Sequence, residues 1–273
     1  LSTIRNNPAK QKKVKTKKQK AIAATCAVAF WLLVWHVVSL CVGSELVLVS
    51  PVKVVQTLFT VIFDPDFLKT VWYSAARILG GFFTALTLGT VLGWVASRFW
   101  VVETLLRPIT AAIKATPVAS FIILVLLWFS GKNLSVIISM LMVFPVIYMN
   151  VLEGIRSADE ELLEMAQVFR LSVSKKLLYI YLPAVAPFFV SACSVSLGLC
   201  WKSGIAAEVI GTPDGSIGAV FYQAKIFLQT SELLAWTVVV VAVSVAFEKL
   251  FMLLLRLVLK KLKMEDVLNG KRA

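Results

Sequence analysis

A single histidine and only 15 acidic side chains in 273 residues leave little from which to build a reaction centre. No H-E-x-x-H or G-x-S-x-G run occurs, which removes the usual metallohydrolase and serine-hydrolase readings. No G-x-x-x-x-G-K-[ST] phosphate loop occurs either. Gly131-Lys132 and Gly270-Lys271 lack both the first glycine and the following Ser or Thr, so the chain is not expected to hydrolyse ATP itself. The four cysteines (Cys26, Cys41, Cys193, Cys200) lie in or beside apolar runs without metal-ligand spacing, and read as small buried hydrophobes.

What is abundant is apolar surface. Hydrophobic residues make up 59% and charged residues 16% of the chain, against about 45–50% and about 25% in a soluble domain. Such an excess cannot all be hidden in a water-soluble particle of this size, so a lipid-embedded, all-α protein is expected. Lys and Arg outnumber Asp and Glu by 28 to 15. Eight of the cations precede the first apolar run and six close or follow the last. They bracket membrane segments without aromatic interleaving, so they read as bilayer anchors and not as a nucleic-acid surface.

A bilayer core needs roughly 20 apolar helical residues to cross. Six stretches qualify: 22–42, 75–99, 108–129, 134–152, 183–201 and 233–259. The first is too long, and too poor in a small-residue cleavage site, to be a removable signal. With the N-terminus inside, twenty cations fall on the cytoplasmic side and six outside, so both termini are expected in the cytoplasm. This gives a basic tail over 1–21, a six-span body over 22–259 with a cytoplasmic loop at 153–182, and a basic tail over 260–273. The outer segment around 52–63 is too short to span and reads as an interfacial helix; 201–232, rich in glycine, reads as looped or partly re-entrant.

The loop at 153–182 differs from its surroundings in being charged and helix-prone. Leu162, Leu163, Ala166 and Phe169, then Leu177 and Leu178, recur at helical spacing. Ser157 or Asp159 can cap a first helix, and Ser172-Val173-Ser174 makes a break before a second. Two short amphipathic helices carrying an apolar ridge into water suit docking in a partner's groove.

Within this loop stand Glu164-Met165-Ala166, three residues, Arg170, nine residues, then Ile180-Tyr181-Leu182-Pro183. The pattern resembles the E-A-A, three residues, G, nine residues, I-x-L-P signature of permease subunits of ABC importers. Met165 replaces the first family alanine and Arg170 the glycine. Arg170 is therefore expected to extend the helix and present a cation to the partner. Ser50-Pro51, the run 77–82, Thr116-Pro117, the run 127–130 and Ala207-Glu208 with Gly211, Gly215 and Gly218 are similar to the nitrate, sulfonate and taurine branch of that family. The likeness spans roughly 49–248.

The resemblance implies the type I importer permease fold in a bacterial cytoplasmic membrane. It also implies a second copy of the permease, two cytoplasmic ATPases that bind ATP and Mg, and an external binding protein that delivers a small polar or anionic solute. No cofactor is implied for this chain. The resemblance also implies that Leu162, Leu163, Glu164, Met165, Ala166, Phe169, Arg170 and Pro183 couple to the ATPase. A gradient-driven carrier is the rival reading, but no span contains Asp and the two halves show no repeat. A membrane assembly subunit is the other, since a docking loop speaks more directly for docking than for transport.

Among single residues, Lys114 would cost about 2.5–3.5 kcal/mol if it faced lipid at mid-bilayer. It either snorkels or lines an inner pathway with Thr116 and Pro117. Glu208 either meets solute or pairs with Lys202. Trp201 and Trp128 read as interfacial aromatics, with Trp201 a pathway candidate. Gly89 and Gly93 form a G-x-x-x-G pair suited to helix packing within the chain.

Overall fold

Small residues decide where the helices meet. In the computed structural model, which describes residues 17–262, three long helices form the centre: α3 (Phe67–Arg98), α6 (Gly131–Arg156) and α9 (Leu182–Gly211). Gly89 and Gly93 of α3 lie against α6, where an added methyl at Gly89 would stand 2.9 Å from Ile147 and one at Gly93 3.0 Å from Val151. On the other side of α6, the Ser139 hydroxyl donates to the Cys200 carbonyl of α9 at 3.2 Å. Apolar lipid offers no hydrophobic reward for association, so close backbone approach and dispersion hold such helices together. Between them Ile78, Phe82, Ile147, Leu197 and Trp201 are almost wholly buried, with Cys193 and Cys200 among them as free thiols.

The remaining elements are arranged around this trio. In chain order they are α1 (Lys17–Val42), α2 (Pro51–Ile62), α4 (Trp100–Ala115), α5 (Val118–Trp128), α7 (Glu160–Val168), α8 (Val173–Lys176), α10 (Ile217–Ile226) and α11 (Thr230–Lys261). Helices α1 and α11 expose long rows of Leu, Val and aromatic side chains. Apolar surface on that scale is stable only against lipid or another protein. Helix α2 starts at Ser50, whose hydroxyl accepts from Lys53 N–H, and has Pro51 in its first turn, where a missing N–H costs nothing. Its 12 residues are too few to cross. Through Leu58 and Val61 it packs on Trp236 and Val239 of α11.

Five helical stretches among the described residues are long and apolar enough to cross a bilayer, and α4 with α5 makes a bent sixth. The expected straight span over 108–129 is thus corrected: it breaks between Ala115 and Val118 with a bend of 110°. Pro117 is the cause. It has no N–H to donate, and its ring keeps Thr116 out of the helical region, at φ −82° and ψ 133°. The second span also starts earlier than expected, at Phe67, and the fifth runs on to Gly211. A π-turn over Leu177–Tyr181 joins α8 to α9; it stands just before Pro183, whose ring crowds the carbonyl one turn back. The basic tails expected at 1–21 and 260–273 lie largely outside the described residues.

Because Gly89 has no room for a side chain, Gly89→Leu is expected to destabilise the chain by about 1–3 kcal/mol through overpacking against Ile147. Thermal unfolding of the detergent-solubilised protein measures this, with Gly80→Leu, at a position with open space around it, as the contrast that changes little.

Candidate functional site

The loop between α6 and α9 is built from local signals. Helix α6 stops at Ser157, and Asp159 caps α7 by accepting from the Glu161 N–H at 2.9 Å. Glu160 and Glu161 occupy the first turn, where the helix dipole favours acids. Ala166 is wholly buried and packs with Ala158 and Ile180, assisted by Leu163, Leu171 and Tyr181 and by Ala184 of α9, in a small core that joins the loop to the start of α9. That core makes the loop a solid projection and not a floppy connection.

This burial revises the sequence-based docking face. Ala166 and Leu163 point inward and hold the loop together. The outward apolar ridge is Leu162, Met165, Val168 and Phe169, of which Val168 and Phe169 are 79% and 72% exposed. Glu164 is exposed beside it. Val168 escaped the sequence reading because it lies off the helical arc of Leu162, Leu163, Ala166 and Phe169. Both faces of α7 carry apolar residues, and only tertiary packing distinguishes them. Pro183 sits half-buried in the first turn of α9, so it shapes the junction and does not belong to the ridge.

Arg170 corrects a second expectation. It does not extend α7, which ends at Val168, but takes up φ +51°. Leu171 N–H donates to the Ala166 carbonyl at 2.9 Å and Arg170 N–H to the Gln167 carbonyl at 3.0 Å. That pair of bonds is the Schellman termination, in which the left-handed position normally belongs to glycine. The turn implied by the family glycine is therefore present, and an arginine bears its conformational cost.

Opposite this end, Glu208 of α9 is fully buried. The Ser74 hydroxyl of α3 donates to its Oε2 at 2.6 Å, and Gly218 N–H of α10 points to the same oxygen at 3.4 Å. Ile217 N–H in turn donates to Ser74 Oγ at 2.9 Å. Gly218 is required by contact, since any side chain there would overlap the Glu208 side chain and the α9 backbone. Lys202, the partner considered from sequence, is exposed and makes no ion pair among the described residues. Glu208 thus binds α3, α9 and α10 into one unit. Trp201, expected at an interface, is instead 2% exposed within the α3–α6–α9 core. Trp128 is 76% exposed.

Lys114 lies on a polar stripe of α4 with Glu103, Arg107 and Thr110. The stripe faces α6 across a cleft of about 240 Å³ that also takes in Tyr148 and Arg156. Arg156 pairs with Glu103 at 2.5 Å. Leu105 and Ile109, on the opposite face of α4, are exposed. Lys114 therefore points to a polar cleft, with Thr116 and Pro117 at the bend beyond it. Lys249 makes no ion pair among the described residues, and its neighbour Glu248 accepts from Ser194 at 3.0 Å.

An all-α body with five to six apolar crossings and a rigid two-helix projection between its fourth and fifth crossings has the form of a transport permease. The family described as "Binding-protein-dependent transport system inner membrane component" matches residues 85–264, and the chain belongs to it. A Bacillus subtilis (strain 168) permease protein named for aliphatic sulfonates transport is 29% identical over 232 residues, covering 84% of this chain and 83% of that one. The taurine transport system permease protein of Escherichia coli (strain K12) is 27% identical over 78% of this chain and 80% of its own length. The nitrate import permease protein of Synechocystis sp. (strain ATCC 27184 / PCC 6803 / Kazusa) is 25% identical over 74% and 76%. The chain is thus a membrane permease component of a binding-protein-dependent ABC importer, which is a transport role and not that of a catalytic ATPase.

Since Arg170 occupies a glycine position, Arg170→Gly is expected to keep the loop and relieve about 1 kcal/mol of left-handed strain. Arg170→Val, β-branched, is expected to open it. Hydrogen exchange at the Arg170 and Leu171 amides reports both: unchanged or slower exchange in the glycine variant, faster exchange in the valine variant.

Proposed function

We propose that this chain forms half of a solute pathway, completed by a second copy, and that cytoplasmic ATPases drive it by gripping α7. The observation that carries the reading is the ridge of Leu162, Met165, Val168 and Phe169, exposed on a projection whose interior is already packed. Such a ridge has no role in a lone chain, because burying each large apolar side chain is worth about 1.5–3 kcal/mol. A groove on the ATPase supplies that burial, and Glu164 beside the ridge supplies a charge to orient it. The rigid loop core then transmits displacement of α7 to α9 and α6. The ATP and Mg belong to the partner. Family membership supports this reading over a gradient-driven carrier or an assembly subunit.

In this scheme the ridge faces the cytoplasm, as do both termini, in agreement with the excess of cations on that side. Arg98, Arg156 and Lys176 gather at the ridge end of the body. Arg77 binds Asn133 at the opposite end, where Glu208 secures α10. An external binding protein delivers solute to the α10 end. Lys114, Thr116 and Pro117 contribute to the inner part of the path, while Trp201 and Glu208 act by holding α9 in place. The relatives' names, which refer to sulfonates, taurine and nitrate, favour a small polar or anionic solute, and the cationic stripe of α4 suits an anion.

The test is ATP hydrolysis by the reconstituted complex, with the binding protein supplied with taurine, methanesulfonate or nitrate in turn. Leu162→Asp with Phe169→Asp is expected to abolish the stimulation given by the loaded binding protein, with thermal stability of the permease unchanged because both side chains are exposed. Full stimulation in that double variant would refute the docking role.

A further inference from the structure

A second feature at the ridge end of the molecule has no part in that scheme. A cavity of about 310 Å³ opens where the end of α3 meets α8, and Trp94, Ser97, Arg98, Lys176 and Tyr181 line it. It contains two cations and two hydroxyls and no carboxylate. Arg98 and Lys176 make no ion pair or hydrogen bond among the described residues, whereas Arg156 nearby is neutralised by Glu103. The cavity therefore carries an uncompensated positive charge suited to an anionic group.

Depth in the membrane narrows the kind of anion. Helix α3 has 32 residues, a length of about 48 Å, against a hydrocarbon core of about 30 Å. Arg98, its last residue, thus reaches the headgroup layer. Trp94, one turn earlier and 52% exposed, stands at interfacial depth. Val91 and Phe83, at 52% and 46% exposed, continue the same face of α3 toward the membrane interior, with Thr87 between them donating its hydroxyl to the Phe83 carbonyl at 2.9 Å. From the cavity inward the surface reads cation, indole, then aliphatic and aromatic track. A phospholipid has the same sequence of phosphate, ester region and acyl chain. An acidic peptide would satisfy the cations but leave the track uncovered.

We propose that this cavity binds the phosphate of an anionic phospholipid, Arg98 reaching it from the transmembrane body and Lys176 from the loop segment, with an acyl chain along Trp94, Val91 and Phe83. The lipid then fastens α8, and through it the α7 projection, to the end of α3. The inference requires only that the Arg98 end of α3 lies at a bilayer surface, so it stands or falls separately from the transport scheme.

Native mass spectrometry of the full chain, stripped of lipid in detergent and then offered phosphatidylglycerol or phosphatidylcholine, tests this. The wild type is expected to retain phosphatidylglycerol in preference to phosphatidylcholine. Arg98→Gln with Lys176→Gln should lower that retention roughly tenfold or more. The charge-keeping pair Arg98→Lys with Lys176→Arg should restore it, and Lys53→Gln with Lys69→Gln, on exposed ion pairs elsewhere in the chain, should leave it unchanged. Lys176→Gln alone, on a side chain outside the packed core, gives a smaller loss without risk to folding. Equal retention of the two lipids, or undiminished phosphatidylglycerol binding in the Gln variants, overturns the proposal. Displacement of the lipid by excess inorganic phosphate also overturns it, because the site would then belong to a free anion.

Discussion

Close backbone approach among α3, α6 and α9 is the constraint on which the other features rest. A bilayer gives no hydrophobic reward for bringing helices together, so contact must come from dispersion between surfaces that fit and from a few polar bonds between helices. Gly89 and Gly93 let α6 lie against α3, and Ser139 ties α6 to the Cys200 carbonyl of α9. Once this trio is in place, its two ends define the two working regions. The loop grows from the ends of α6 and α9, and the Glu208 cluster closes the opposite end of α9 against α3 and α10.

The loop shows how a projection can be stiffened without a large core. Ala166, Ala158 and Ile180 fill its interior, Asp159 starts its helix, and the Arg170 turn ends it with the Ala166 and Gln167 carbonyls satisfied. These devices make α7 stiff relative to its own outward ridge. A stiff element transmits motion, whereas a flexible one absorbs it, so the packing that hides Ala166 suits α7 to the coupling role proposed above. Arginine at the left-handed position is a local concession that the bonds to Ala166 and Gln167 outweigh.

At the other end, a carboxylate buried among hydroxyl and backbone donors organises three helices at once. Removing Ser74 or Glu208 would leave a polar group without its partner in a medium where that costs about 1–3 kcal/mol, and any side chain at Gly218 would push α10 away from α9. The bend at Thr116-Pro117 acts between these regions. It ends α4, whose polar stripe, Lys114 included, lines a cleft with α6.

Composition and order alone sufficed for the all-helical, membrane-embedded class, for five of the apolar crossings and for the place of the projecting loop, because each follows from length and apolar runs along the chain. The capping role of Asp159 and the packing role of Gly89 and Gly93 were equally legible, since both depend on neighbours within a turn or two or on a fixed spacing. The break at Pro117 was written in the chain but outweighed by the unbroken hydropathy around it. What only the tertiary structure decided was direction. Whether Ala166 or Val168 faces outward, whether Glu208 meets Lys202 or Ser74, and whether Trp201 lies at an interface or in the core depend on which distant helix occupies the space beside each residue. Arg170 belongs to the same group: its side chain is a good helix former, yet the bonds closing on Ala166 hold it in a left-handed turn that its local propensity opposes.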